Sequence, residues 1–264
     1  MQSARSPVRL AGASRAWAGV LLAIALPCAA LAATDADALV REARAAEARF
    51  DARTALNLYL QADAARPNDA VILQKIARQY SDLTFELSDP AEQKRYCTQA
   101  LDYAKRAYEL APKEAENALS LAICYAKIGF YSDTRTKIEN SRLVKDYAEQ
   151  ALALDPRDDF ACHVLGQWNY EVASIGMAKR LLVKLIYGGL PAASTAEGVN
   201  LLRRAVELAP EEPSHHVELG LALLADGQRD AGERELKKSL TLPRKMKYDD
   251  EAWQRAREAL AKLK

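Results

Sequence analysis

The sequence lacks the short motifs that build metal, nucleotide and nucleophile sites. It contains no Cys-x-x-Cys, no His-Glu-x-x-His, no Gly-rich phosphate loop and no Gly-x-Ser-x-Gly turn. The adjacent His215 and His216 do not replace such a motif, because neighbouring side chains on a helix diverge by about 100°. Cys162 and His163 diverge in the same way. We therefore expect no catalytic residue, no metal site and no cofactor.

The chain also lacks an excess of charge of either sign. Its 37 basic and 36 acidic residues give a net charge of +1. Nucleic-acid binding favours a clustered basic face, so we expect no nucleic-acid partner. Sustained period-two alternation of apolar and polar residues, the pattern of β-strands, is absent as well. The remaining periodicity is helical, and it predicts an all-α chain.

The first 32 residues have the pattern of a signal peptide. No acidic residue occurs before Asp35, three arginines lie near the start, and a mostly apolar run extends from Trp17 to Leu26. The Ala-Leu-Ala triplet at 30–32 provides a cleavage site, so we predict a signal peptide at 1–32 and a periplasmic or secreted mature chain. The run is short for a membrane span, and Pro27 follows it directly. An uncleaved segment anchored in the inner membrane and a mitochondrial presequence stay open as alternatives.

An internal repeat is the most informative pattern in the chain. Each copy begins with a residue that is small in most copies, and a second small residue follows seven positions later. A proline comes about five positions after the second small residue. Small residues at this spacing share one helix face and let a neighbouring helix approach closely, and the proline ends the helix. The copies are Ala55, Tyr59, Ala62 and Pro67; Ala100, Ala104, Ala107 and Pro112; Val144, Ala148, Ala151 and Pro156; Gly198, Leu202, Ala205 and Pro210; and, more loosely, Gly232, Leu236, Ser239 and Pro243.

A second helical pattern precedes most of these copies. Units that begin at Ala70, Ala115, Asp159 and Pro213 have Leu or Ile at position 7 and Ala or Gly at position 8. The 34-residue tetratricopeptide pattern has such residues at these positions. We therefore predict an all-α, tetratricopeptide-like α-solenoid of about five helix–turn–helix units, with lengthened helices or inserts and a C-terminal capping helix. The predicted single repeat domain is 33–264, with units near 36–69, 70–114, 115–158, 159–212 and 213–246 and the cap at 247–264.

The proline spacing departs from 34 residues in a way that predicts insertions. Successive repeat prolines lie 45, 44, 54 and 33 residues apart. The surplus falls between the two helices of a unit, in stretches such as Phe130–Asn140 and Ile175–Ser194. We expect these stretches to lengthen helices or to form projecting loops.

Part of the chain resembles a known family. The Leu-Gly-x-Trp-x-Tyr segment at 165–170, a long basic and apolar stretch up to Pro191, and the helix ending at Pro210 are similar to the regulator of microtubule dynamics proteins. The resemblance covers about 94–262. It implies a tetratricopeptide-like, all-helical adaptor and does not imply catalysis, and in animals the family is associated with microtubules and organelle membranes. Since tubulin is cytosolic, we expect a microtubule role only if the chain is not exported.

The first helices of tetratricopeptide units line a concave surface, so their inward positions are candidate ligand contacts. Chaperone-tail binders have Lys at position 5 and Asn at position 9, and both are missing here, so we expect no carboxylate clamp. The mixed apolar and polar groove is predicted to hold an extended or helical peptide. Alternatively, its polar residues are satisfied by their neighbours. The predicted groove residues are Gln74, Arg78, Leu119, Ile123, His163, Gln167 and Tyr170.

The stretch Ile175–Tyr187 is a basic and apolar amphipathic helix. One face is apolar, and Lys179, Arg180 and Lys184 are distributed around it. Such a helix can lie on a membrane or contact a partner. It can also be a lengthened repeat helix inside the stack with its basic side chains reaching outward, and we favour this buried position because Gly188 and Gly189 predict a tight return.

Three cysteines remain after the predicted cleavage, namely Cys97, Cys124 and Cys162. One disulfide is possible in an oxidising compartment. We favour three buried free thiols that act as small apolar residues.

The patterns together predict a non-catalytic protein- or peptide-binding adaptor that uses the concave surface of stacked helices. Two alternatives stay open. One is a membrane-peripheral or assembly scaffold acting through the 175–187 helix, and the other is a microtubule-associated regulator in a chain that is not exported.

Overall fold

A computed structural model describes the backbone of residues 26–263 and the side chains of residues 35–263. The predicted signal peptide lies mostly outside these residues, and only 26–32 fall in the first helix. The helices are α1 (Leu26–Glu47), α2 (Ala52–Ala65), α3 (Ala70–Leu83), α4 (Pro90–Leu110), α5 (Ala115–Gly129), α6 (Thr134–Leu154), α7 (Asp159–Ala173), α8 (Met177–Tyr187), α9 (Thr195–Leu208), α10 (Pro213–Ala225), α11 (Arg229–Ser239) and α12 (Asp249–Lys262). A 3-10 turn at Thr84–Glu86 follows α3. None of these helices combines the length and apolar character needed to cross a membrane.

Neighbouring helices pair into five hairpins, which we number as units one to five. The pairs are α1 with α2, α3 with α4, α5 with α6, α7 with α9, and α10 with α11. First helices of successive units also touch, since α3 contacts α5, α5 contacts α7 and α7 contacts α10. The last helix, α12, lies against α10 and α11. This confirms the predicted all-α solenoid with a C-terminal capping helix.

Aspartates and prolines set many of the helix limits. The carboxylates of Asp51, Asp69, Asp89, Asp133 and Asp158 accept backbone N–H groups in the first turns of α2, α3, α4, α6 and α7. Each such cap contributes about 1 kcal/mol. Four repeat prolines lie two residues after the ends of α2, α4, α6 and α9, where a helix cannot continue. They are Pro67, Pro112, Pro156 and Pro210.

The small repeat residues lie where the two helices of a hairpin meet. Ala62, Ala107 and Ala151 are fully buried there. In unit four a Cβ atom on Gly198 would lie 2.8 Å from the carbonyl oxygen of Gly166. The backbones of α7 and α9 are therefore in contact. The glycines of α10 and α11 make a similar close approach in unit five.

The structure accommodates the residues inserted between the two helices of a unit in two ways. Part of Phe130–Asn140 lengthens a helix, because α6 begins at Thr134 and is 21 residues long, as is α4. The other stretch, Ile175–Ser194, forms the separate helix α8 and an irregular return to α9.

The expected burial of the 175–187 helix is wrong. None of the α8 residues is buried, and Met177, Leu181 and Leu185 are well exposed. The physical reason is the direct contact between α7 and α9, whose backbones meet at Gly166 and Gly198 and leave no space for an inserted helix between them. The chain must therefore place α8 outside the stack.

The three thiols are buried and free, as favoured from the sequence. Cys97, Cys124 and Cys162 form no disulfide. Burial raises the pKa of each thiol, and that of Cys124 rises to about 12. The protonated thiols act as small apolar side chains.

We predict that Gly198→Ala lowers the free energy of unfolding by about 1–3 kcal/mol, as is typical of overpacking. The new methyl would meet the backbone oxygen of Gly166, which cannot move aside without shifting α7. Urea unfolding followed by far-ultraviolet circular dichroism measures the effect.

Gly129→Ala is the matched control, since a Cβ atom at this end of α5 meets nothing within 4 Å. Its stability should be unchanged or slightly increased, because Ala is the better helix former. Equal unfolding midpoints for the two variants would contradict the proposed close contact.

Candidate functional site

The seven predicted groove residues lie on three adjacent first helices. Gln74, Leu119 and Tyr170 are buried, whereas the other four are partly exposed. Their positions are Gln74 and Arg78 on α3, Leu119 and Ile123 on α5, and His163, Gln167 and Tyr170 on α7. The structure therefore places these residues on neighbouring helices without leaving all of them open to a ligand. Their role in peptide binding stays a prediction.

A nonhelical segment of the chain itself crosses this region. We call residues 240–248, between α11 and α12, the strap. The Arg244 guanidinium lies 4.7 Å from the ring centroid of Phe50, in the turn between α1 and α2. Arg78 donates to the sulfur of Met246 at 3.2 Å. The strap thus runs from unit five back to units one and two.

The strap ends in an aromatic contact with the 3-10 turn after α3 and with the start of α7. The ring of Tyr248 lies 6.5 Å from Phe85 and 6.3 Å from Phe160, almost perpendicular to the latter. Burial, with the carboxylates of Glu212 and Asp249, raises the pKa of the Tyr248 hydroxyl well above its usual value. The tyrosine therefore stays neutral and joins unit two to unit four.

Charge complementarity holds the C-terminal part of the strap. Lys247 Nζ lies 2.6 Å from Glu86 Oε1. The remaining cavity beside the strap is only about 50 Å³, room for one or two water molecules. Its wall is formed by Glu47, Phe50, Ala52, Arg78, Gln79, Asp82, Lys245, Met246 and Lys247. Lys245, Met246 and Lys247 of the strap thus form one wall of this cavity.

An ion pair with a buried carboxylate fixes the capping helix next to the strap. The partly exposed Arg255 donates from Nη1 to Oε1 of Glu218 and from Nη2 to Oε2 at 3.3 Å. Tyr170 donates its hydroxyl to the same oxygen at 2.7 Å. Glu218 is only 3% exposed, so the pair joins α12, α10 and α7 in a region of low dielectric. The Tyr170 hydroxyl is thereby already engaged.

Two further predicted groove residues take part in polar contacts of α7. Gln167 donates to Glu171 at 2.8 Å. The Nδ1 atoms of His163 and His215 are 2.9 Å apart, and Nε2 of His215 lies 2.8 Å from Asp159.

A chain of hydrogen bonds joins the two histidines to Asp159. A carboxylate only accepts, so His215 donates from Nε2 to Asp159, and its Nδ1 atom is hydrogen-bonded to Nδ1 of His163. Burial, together with His215 and Arg255, lowers the pKa of His163 well below its usual value. His163 is therefore neutral at pH 7. Within residues 35–263 no cluster of three His, Cys, Asp or Glu side chains is arranged as a metal site.

Sequence reasoning missed the strap. The repeat pattern assigns this segment to the end of unit five and the start of the cap, whereas its contacts with Phe50 and Arg78 join residues more than 160 positions apart. The available signal was the basic run Arg-Lys-Met-Lys-Tyr at 244–248 after the last repeat proline. A single sequence does not indicate which acidic surface such a run meets.

Glu212 generates a prediction about pH. One of its carboxylate oxygens is buried without a hydrogen-bond partner. Burial, with Asp249 and Asp159, raises its pKa to about 7, although Lys245 and Arg78 oppose the shift. The folded state then binds the proton more tightly than the unfolded state does, so this group removes stability as pH rises from about 4.5 to 7.

We therefore expect the free energy of unfolding of Glu212→Gln, measured with urea at pH 8, to exceed that of the parent chain by about 1–3 kcal/mol. At pH 4.5 the two free energies should differ little. Glu211→Gln, at the exposed neighbouring position, is the control and should not change the pH dependence. Parallel pH profiles for the parent and Glu212→Gln would refute the assignment.

The Arg255–Glu218 pair predicts a second stability effect. Arg255→Met leaves a buried carboxylate without its cation, and we expect a loss of about 2–4 kcal/mol in urea unfolding. Glu218→Gln added to Arg255→Met should restore part of that loss, because the uncompensated charge is removed. Gln254→Met, on the exposed side of α12, serves as the control, and an equal effect of the two Met variants would exclude a structural ion pair.

Comparison with known proteins agrees with this architecture. A thermophilic tetratricopeptide repeat protein of Thermus thermophilus superposes with a TM-score of 0.62, over 86% of this chain and 99% of that chain, at 18% sequence identity. This similarity shows the fold.

Sequence comparison identifies the family. Regulator of microtubule dynamics protein 1 is 32% identical in Mus musculus over 146 residues, covering 54% of this chain and 47% of that protein. The protein of the same name from Bos taurus is 30% identical over 143 residues, covering 54% and 45%. The chain thus aligns with about half the length of these relatives. The family described as regulator of microtubule dynamics protein 1-3 matches residues 34–264, and the chain belongs to this family.

Proposed function

We propose that the chain is a non-catalytic adaptor that binds an extended peptide segment of a protein partner on the surface now covered by the strap. The observation that carries this proposal is the strap itself. It is a nonhelical segment of polypeptide, with turns at both ends, that contacts first-helix residues of units two and four. A surface that holds one such segment offers the contacts needed to hold another.

The contacts of the strap indicate the chemistry of the partner. Lys247 pairs with Glu86, and Tyr248 lies between Phe85 and Phe160. Arg244 stacks over an aromatic ring of unit one. A peptide with two or three basic residues and a neighbouring aromatic side chain would satisfy the same groups.

The strap competes with such a partner from within the chain. A tethered segment acts at an effective concentration in the millimolar range. Only molecules in which the strap has left the groove can bind the partner. The apparent affinity is therefore the intrinsic affinity multiplied by the fraction of such molecules. Weakening the strap should strengthen binding at the groove, whereas damage to the groove should weaken it.

The decisive experiment uses a fluorescent peptide with the sequence of residues 240–248 and the chain 33–264. Fluorescence anisotropy should give at least about 10-fold tighter binding to Lys247→Glu/Tyr248→Ala than to the parent chain, because the internal competitor is weakened. Adding Glu86→Lys to that variant should remove most of the gain, since it reverses the charge that receives the peptide lysine.

Lys262→Glu, near the exposed end of α12, is the control for charge and should match the parent chain. Circular dichroism must show equal helix content for all variants. Absence of peptide binding to the strap-weakened variant at native helicity would reject the groove. Affinity capture from a cell-envelope extract with the same variants then identifies the partner, on the further proposal that the chain is exported.

Family membership favours one alternative partner. The relatives are named regulators of microtubule dynamics, and the chain covers less than half of the first relatives' lengths. If this chain binds polymerised tubulin, it should sediment with microtubules, and the strap-weakened variant should sediment more strongly. Lack of sedimentation in both would leave the peptide adaptor as the proposal.

A further inference from the structure

Helix α8 has an apolar surface that no part of the described fold covers. Five of its large apolar side chains are between 57% and 88% exposed. They are Met177, Leu181, Leu182, Leu185 and Ile186. Single exposed apolar residues are common, but five on one short helix form a contiguous patch of the kind that marks an interaction site.

The patch has defined edges. At about 100° per residue, the five side chains span about 180° of the helix circumference. Lys184 and Lys179 lie about 20° beyond the two edges of this arc. The partly buried Val183 and Tyr187 lie on the opposite side, towards the rest of the protein. The helix thus presents a half-cylinder of apolar side chains bordered by one lysine on each side.

The rest of the fold holds this helix in place. Arg142 of α6 donates from Nη2 to the carbonyl oxygens of Tyr187 and Gly189, both at 2.6 Å. Gly188, with φ of +79°, ends the helix in the left-handed conformation. These contacts satisfy the C-terminal carbonyl of α8 and hold this end of the helix beside α6, where Ile186 and Tyr187 line a cavity together with residues of α6.

The charge of α8 selects among the possible occupants. Met177–Tyr187 contains three basic residues and no acidic one. A second copy of the chain would bring the same three positive charges against them. A carboxylate of α6 that lines a cavity with the end of α8, Glu139, is already paired with Arg135. An apolar surface edged with lysines instead matches a bilayer with negatively charged headgroups, in which the lysine ammonium groups reach the phosphates.

We infer that α8 docks the protein onto membranes that contain anionic lipids, lying flat at the interface with Leu181, Leu182 and Leu185 inserted among the acyl chains. The adaptor surface and this docking helix use different residues, since the strap contacts cited for the adaptor involve Phe50, Arg78, Phe85, Glu86 and Phe160. Docking by α8 places the groove next to a membrane. The inference goes beyond the proposed peptide binding and does not depend on it.

Vesicle flotation with the chain 33–264 tests the inference, because this chain omits the N-terminal apolar run. The probes are phosphatidylcholine vesicles with and without about 30% phosphatidylglycerol. The parent chain should float with the anionic vesicles only, and this binding should weaken strongly at about 0.5 M salt. Leu182→Glu/Leu185→Glu should lower binding at least about 10-fold, as should Lys179→Glu/Lys184→Glu.

The matched control is Leu110→Glu/Phe130→Glu, which alters two other exposed apolar residues. It should float like the parent chain. The α8 residues are exposed, so their variants should keep the native helix content and the peptide affinity of the groove. Measuring vesicle binding and peptide affinity on the same variants therefore distinguishes a failure of membrane docking from a failure of the adaptor proposal.

Two results would overturn the inference. The first is a parent chain that does not float with anionic vesicles, or an α8 variant that floats equally well. The second is self-association of the parent chain in sedimentation equilibrium, lost in Leu182→Glu/Leu185→Glu, without vesicle binding. That outcome would assign the apolar arc to a second copy of the chain.

Discussion

Close contact between helix backbones at small residues is the constraint on which this structure depends. Where Gly166 meets Gly198, the two helices of unit four approach until a single methyl group has no space. Gly220 and Gly232 make a similar approach in unit five, and units one to three have fully buried alanines at the corresponding repeat positions. This contact sets the geometry of each hairpin, and the stacking of first helices follows from it. It also accounts for α8, because a hairpin this tight expels any inserted helix to the surface.

The C-terminal helix α12 packs an apolar side against the last unit and places an ion pair on its polar side. The first contact stabilises the fold, whereas the second has a desolvation cost. The apolar side of α12, with Ala252 and Ala256, covers Val217 and completes the core of the last unit. Its polar side buries the Arg255–Glu218 pair, whose desolvation opposes much of the attraction between the charges. Such a pair gives orientation more than stability. It holds α12 at one angle against α10 and so directs the preceding strap towards Glu86.

Much of the fold was predictable, because its determinants are local. Pro67 and Pro112 lie in the turns between units, and Ala62 and Ala107 lie at helix contacts, where the repeat placed them. The strap was not predictable, since the pairing of Lys247 with Glu86 joins residues 161 positions apart. Periodicity correctly predicted an apolar face on the helix of residues 175–187. It carries no information on what covers that face, and the expectation of burial failed there.

The strap changes how the array behaves as a whole. In an ordinary solenoid each repeat touches only its neighbours, so terminal repeats fray and stability grows unit by unit. Here Arg244 lies over Phe50, and the last unit is thereby tied to the first. Loss of either terminal unit removes contacts from the opposite end, and partial unfolding from one end is no longer independent of the other. The strap thereby adds contacts between the two ends of the linear repeat, which oppose fraying but require a long loop to close during folding.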